Sequence, residues 1–161
     1  MSDPPVIFLD NDGVLNKLDH VEEVLDHAKD RSHAGVLATA KLCLQKEFVD
    51  RLQRIVNTTG AEVVVVSSWR RAFSLEELRE IYIACGFTGV VRDKVSHWWS
   101  DERDLRAAEW IDTHPGVTRW VVLDDTRDGW KHHDLFKDVL VAPKDGLTDA
   151  DVDLAIRYLS E

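Results

Sequence analysis

Val6-Ile7-Phe8-Leu9-Asp10-Asn11-Asp12-Gly13-Val14-Leu15-Asn16 decides the reading of this chain: an apolar run stops at two aspartates one residue apart, and a glycine follows. A continuously apolar, mostly β-favouring run is what a strand buried on both faces of a parallel sheet requires. If extended geometry persists through Asp12, alternation points Asp10 and Asp12 to one side. Gly13 then lets the backbone turn at positive φ without a Cβ clash. Two carboxylates this close repel unless a cation or a shared proton relieves them, and a hard ion such as Mg²⁺ suits oxygen ligands. Taken alone, the pair reads equally well as turn-forming residues at a strand end.

The rest of the chain supplies the context. Its 161 residues favour one domain, residues 1–161, with a real core, and 44% hydrophobic and 31% charged residues describe an ordinary globule. No apolar run is long enough to span a bilayer and no signal-like segment opens the sequence, which leads to the expectation of a cytoplasmic protein without a membrane partner. A net charge of −10 disfavours non-specific adhesion to nucleic acid, although a local basic groove is compatible with it. Cys43 and Cys85 match no metal-ligand spacing and read as reduced, buried thiols.

Strands and helices alternate along the sequence. An irregular charged stretch follows the first strand, with a short helix suggested by Val21, Val24, Leu25 and Ala28. Phe48, Leu52, Ile55 and Val56 mark an amphipathic helix that stops near Gly60. Val63 to Val66 is the clearest buried strand. Ser74 with Glu77 opens a helix through a capping box, and Thr148 with Asp151 opens the terminal one. Val90-Val91 suggests a short strand, Asp101 to Thr113 a helix, Trp120 to Leu123 a further strand and Val139 to Val141 a last one. This alternation predicts an α/β fold: a Rossmann-like three-layer sandwich around a central parallel sheet.

Three of these strands end in polar residues: Asp10, Ser67 and the pair Asp124-Asp125. Ligands bind at the carboxyl ends of strands in open parallel sheets, so neighbouring strands would gather these groups with Asp12 around one crevice. Several carboxylates and a hydroxyl in one crevice call for a divalent cation.

The order DNDGVLN at 10–16, VVVVSS at 63–68 and VVLDD at 121–125 resembles the haloacid dehalogenase (HAD) superfamily of phosphatases across nearly the whole chain. DGVLN, SSWR and WVVLDD are most similar to the small HAD domains of RNA-repair proteins and their stand-alone relatives. The resemblance implies a Mg²⁺-dependent phosphomonoesterase with Asp10 as nucleophile and Asp12 as general acid and base. It implies metal ligands from Asp10, Asp12 through its carbonyl, and one or both of Asp124 and Asp125, with Ser67 binding a phosphate oxygen. The family's helix cation, usually lysine, falls on Arg103 when counted back from Trp110, with Arg106 one turn on as the alternative. Asp128 is a candidate for ordering the metal shell or for capping a turn.

Only residues 17–45 leave room for a flap or very small cap, so the resemblance implies an open active site. Arg70 and Arg71 are candidates for local positive charge and phosphate binding, and Trp98 and Trp99 either stack a base or pack in the core. Trp130 follows the acidic motif; His20, His27 and His33 lack a zinc-binding pattern and read as surface groups. Nucleic-acid ends or nucleotides are the candidate phosphorylated partners. Val14 stands where many polynucleotide 3′-phosphatases carry threonine, and it also breaks the DxDxT pattern of one class of phosphoprotein phosphatases. A phosphoprotein or small-metabolite phosphatase and a non-catalytic metal- or phosphate-binding domain remain as alternatives.

Overall fold

A computed structural model describes residues 2–96 and 102–161. Five parallel strands form its sheet: β1 (Val6–Leu9), β2 (Glu62–Val65), β3 (Val91–Lys94), β4 (Trp120–Leu123) and β5 (Leu140–Val141), in the order β3-β2-β1-β4-β5. Among the described residues six α-helices accompany them: α1 (Leu18–His27), α2 (His33–Cys43), α3 (Lys46–Thr59), α4 (Leu75–Ala84), α5 (Arg103–Asp112) and α6 (Asp149–Ser160). Helices cover both faces of the sheet, giving the expected three-layer α/β sandwich.

The period-two alternation of the strands sorts the core. Ile7, Leu9, Val63, Val65, Val121 and Leu123 face one layer, where they pack with residues of α3, α4 and α6. Val6, Phe8, Val64 and Val122 face the other, against Ala107 and Trp110 of α5 and against Trp130 and Phe136. Phe8 meets Trp110 and Phe136 edge-on, with ring centroids 5.9 and 5.8 Å apart.

Helix boundaries follow local chemistry. Both capping boxes form, Ser74 with Glu77 and Thr148 with Asp151. α3 buries Phe48, Leu52 and Ile55 and ends at Gly60 with φ of 73°, a left-handed cap that glycine adopts without a Cβ penalty.

Two segments depart from the sequence reading. The stretch read as irregular up to Leu44 contains a second helix, α2, which starts where Ser32 accepts from the Gly35 N–H. Its run of Ala and Gly lacks a sharp apolar stripe, so periodicity does not reveal it. β3 starts at Val91 and runs through Arg92, Asp93 and Lys94. Charges are tolerated on this edge strand because each finds a partner: Arg92 reaches Asp3, Asp93 accepts from Trp110 Nε1, and Lys94 Nζ donates to the carbonyls of Arg70 and Phe73. No helix among the described residues is long and apolar enough to cross a membrane.

Candidate active site

β1 lies between β2 and β4 with Leu9 level with both Val65 and Leu123, so the three strands finish flush. The chain builds outward from β1 to β3 and then crosses to β4 on the other side, making the β1–β4 boundary the point where strand order reverses. Strand parity aims the residues that follow. Asp10 and Asp124 continue the series Val6-Phe8 and Val122, and both turn toward α5. Asp10 N–H still donates to the Leu123 carbonyl at 2.9 Å, extending the ladder by one step.

Carboxylate oxygens of Asp10, Asp124 and Asp125 lie within 4.8 Å of one another. Burial and the neighbouring Asp124 carboxylate raise the Asp10 pKa well above the ordinary carboxylate range, against the opposing pull of Arg103. Asp125 is raised as well, chiefly by burial. Three oxygen donors whose negative charge is crowded and poorly solvated fit a hard divalent cation.

Arg103, at the first turn of α5, points into this cluster. Its Nη1 lies 2.6 Å from Asp124 Oδ2 and 3.3 Å from Asp10 Oδ1. Arg106 instead pairs with Glu109, one turn further along α5. Asp124 is fully buried and its oxygens also accept from the Thr126 N–H and hydroxyl and from Trp130 Nε1. Asp125 remains partly exposed, which leaves the two neighbours in distinct settings.

Asp12 sits apart from the three-carboxylate cluster. Extended backbone ends at Asp10 rather than reaching Asp12, because the Val14 and Leu15 N–H groups turn back onto the Asn11 carbonyl. The Asp12 carboxylate is held from two directions, by Asn16 Nδ2 at 3.1 Å and by Trp69 Nε1 at 3.0 Å. Asn16 also accepts the Gly13 N–H at 2.9 Å and so closes the loop on itself. Gly13 has φ of 82°, and an added Cβ would stand 2.3 Å from Asp125 Oδ2. Glycine is therefore required there both by conformation and by the carboxylate beside it. Below the loop, Tyr82 donates its hydroxyl to Asn11 Oδ1.

Ser67 is buried at the end of β2, where its Oγ accepts from the Trp69 N–H at 3.2 Å. Arg70 corrects the expectation of a cation at the mouth. It is 1% exposed and its Nη1 donates to the carbonyls of Val66 and Ser67 at 2.6 and 3.0 Å. The guanidinium thereby supplies donors to two carbonyls just past the end of β2, and the Ser67 carbonyl also accepts from the Arg70 N–H at 3.0 Å. Arg71 is exposed. Asp128 is exposed and pairs with Lys131 at 2.9 Å. Trp98 and Trp99 lie outside the described residues. His20 and His27 contact backbone carbonyls, and His33 pairs with Glu77. Cys43 is buried and Cys85 half-buried, both as free thiols.

Trp69, Asn16 and Trp130 carry polar contacts that residue type conceals. Tryptophan suggests core packing, yet a buried indole N–H needs an acceptor, and here two of them find the site carboxylates. The available signal was positional: each lies two to six residues from a strand-end motif.

No curated protein and no solved structure matches the chain. The family model described as the HAD domain in Swiss Army Knife RNA repair proteins matches residues 6–152, which span β1 through the start of α6 and include every carboxylate of the site. The chain therefore belongs to this family of HAD domains.

Proposed function

We propose that the chain is a Mg²⁺-dependent phosphomonoesterase that works through an aspartyl-phosphate on Asp10. The observation that carries this reading is the division of labour among the carboxylates: Asp10, Asp124 and Asp125 cluster, while Asp12 is held separately by Asn16 and Trp69. A pure cation site has no need of the separate, oriented acid.

Asp10, Asp124 and Asp125, with the Asp12 carbonyl, would hold Mg²⁺. The cation would offset the repulsion between an anionic nucleophile and an anionic phosphate ester. In the first half-reaction an Asp10 oxygen forms a bond to phosphorus, the bond from phosphorus to the leaving oxygen breaks, and Asp12 gives that oxygen its proton. In the second, Asp12 takes a proton from water, whose oxygen attacks phosphorus; the bond to Asp10 breaks and inorganic phosphate leaves. Arg103 and the Ser67 hydroxyl bind the phosphoryl oxygens, with the arginine fork suited to two of them at once.

The family's place in RNA-repair proteins supports a phosphate on a nucleotide or nucleic-acid end as the substrate. We further read residues 1–161 as one cytoplasmic domain in which α1 and α2 form a very small cap. Hydrolysis of p-nitrophenyl phosphate by the wild type and by Asp10→Asn, with Mg²⁺ and with chelator, tests the proposal. Mg²⁺-dependent release of phosphate that disappears in Asp10→Asn is the expected result. Equal turnover by Asp10→Asn would remove the nucleophile, and a folded wild type inactive across phosphate classes would favour a binding domain.

A further inference from the structure

A cavity of about 610 Å³ lies between the α1–α2 pair and the 3₁₀ turn Ser68–Arg71, within the size range of small-molecule sites. Asp12 forms part of its wall. Val21 and Leu25 of α1, Val36 of α2, and Trp69 and Phe73 supply much of the remainder. The Trp69 and Phe73 rings stand 6.3 Å apart at 65°, forming an aromatic corner. Apart from Asp12, the charged lining residues are Asp30 and Arg31, one of each sign.

The position of Asp12 fixes what such a cavity would receive. A general acid must come within hydrogen-bond reach of the leaving oxygen, so the leaving group begins at the Asp12 carboxylate. This cavity borders Asp12. Resting on the reading of Asp12 as the acid, we propose that the cavity holds the leaving group, and that this group is an uncharged aromatic alcohol of nucleoside size. The walls are largely apolar, and among the described lining residues two aspartates, Asp12 and Asp30, stand against one arginine, Arg31, so a second phosphate on the leaving group would lose water in a lining without an excess of positive charge. A flat ring, by contrast, fits the aromatic corner. Trp69 links the two functions: its ring walls the cavity while its N–H holds Asp12. The substrate class is thus a monomeric aromatic monophosphate, a mononucleotide rather than a polynucleotide end.

The experiment compares kcat/KM for adenosine 5′-monophosphate, ribose 5-phosphate, adenosine 3′,5′-bisphosphate and a 5′-phosphorylated oligonucleotide, in the wild type and in Val36→Trp. Val36 is 40% exposed, so the larger ring enters the cavity from its rim without displacing core. Adenosine 5′-monophosphate should exceed ribose 5-phosphate by roughly tenfold, the scale of one good aromatic contact, and Val36→Trp should collapse that ratio. Hydrolysis without preference for the base, or a preference for the bisphosphate or oligonucleotide, would overturn the inference while leaving the phosphatase intact. If no ester is hydrolysed, the phosphatase reading fails, and adenosine binding to ¹⁵N-labelled protein decides the occupant. A saturable shift of the Trp69 indole N–H signal, assigned by its loss in Trp69→Phe and abolished by Val36→Trp, supports an aromatic occupant. Absence of a shift overturns it.

Discussion

The floor and the roof of the site are built in opposite ways. The floor consists of strand ends locked in register, with Asp10 and Asp124 buried and tied to Arg103, Thr126 and Trp130. The roof consists of α1, which buries no residue, and α2, which buries only Ala40 and Cys43. Several of the roof's apolar side chains, among them Leu25, Val36 and Leu42, are substantially exposed. α2 meets α4 through polar contacts at the surface, His33 to Glu77 and Lys41 to Glu80. Backbone ladders and buried charge networks hold positions closely, whereas exposed ion pairs contribute little. On the proposed reading, reaction chemistry would fall to the closely held floor and contact with the leaving group to the more loosely packed roof.

Substitutions on each side sharpen that contrast. The largest effect belongs to the floor: Asp10→Asn should reduce phosphate release by roughly 10⁴-fold or more, as loss of a nucleophile does, measured in single-turnover assays. Trp69→Phe keeps the ring and removes the N–H donor; a fall in kcat of about 10- to 100-fold with little change in KM would mark it as positioning Asp12. Gly13→Ala forces a strained backbone into contact with Asp125, and denaturant melts should show a loss of about 1–3 kcal/mol.

The metal-free protein should also report the crowding at Asp10. Because its folded-state pKa is raised, the associated stability is fully present below about pH 4 and is lost as pH rises through the raised value. The thermal midpoint should therefore carry a component that falls with rising pH, which Mg²⁺ suppresses and Asp10→Asn removes. A midpoint with the same pH profile in Asp10→Asn would contradict the charge crowding. The smallest effect belongs to the roof: His33→Gln should leave the denaturation midpoint nearly unmoved, since its link to Glu77 is solvent-exposed. A large loss there would show that the roof is as firmly built as the floor.

The sequence discloses the floor far better than the roof, for a physical reason. Buried parallel strands must be apolar throughout, so Val6 to Leu9, Val63 to Val66 and Trp120 to Leu123 stand out, and their polar endings mark the crevice. Counting back from Trp110 along α5 leaves Arg103 and Arg106 as alternatives, since residues three apart share a helix face; the folded arrangement sets Arg103 beside Asp10 and Asp124 and Arg106 beside Glu109. α2 is hidden because small residues make a helix without a strong stripe. Arg70 misleads because arginine is mostly a surface residue, and nothing local announces that its charge caps the carbonyls at the end of β2. The indole N–H bonds of Trp69 and Trp130 depend on partners 57 and 6 residues away, which only the folded arrangement brings close.

Two short hydrogen bonds set the order in which the site comes into being. Gly146 and Leu147 donate their N–H groups to the carbonyls of Gly13 and Val14 at 2.8 and 2.9 Å, lashing the far end of the chain to the first loop. Gly146 is itself held to a conformation with φ of 92°, and a side chain there would collide with the Phe48 ring. During synthesis the Asp10–Asn16 loop is made well before Gly146 and Leu147, so its clasp emerges only after β5. An isolated amino-terminal half therefore carries the aspartates but not the fixed loop that displays them, so cation affinity should appear late and together with closure of the sheet.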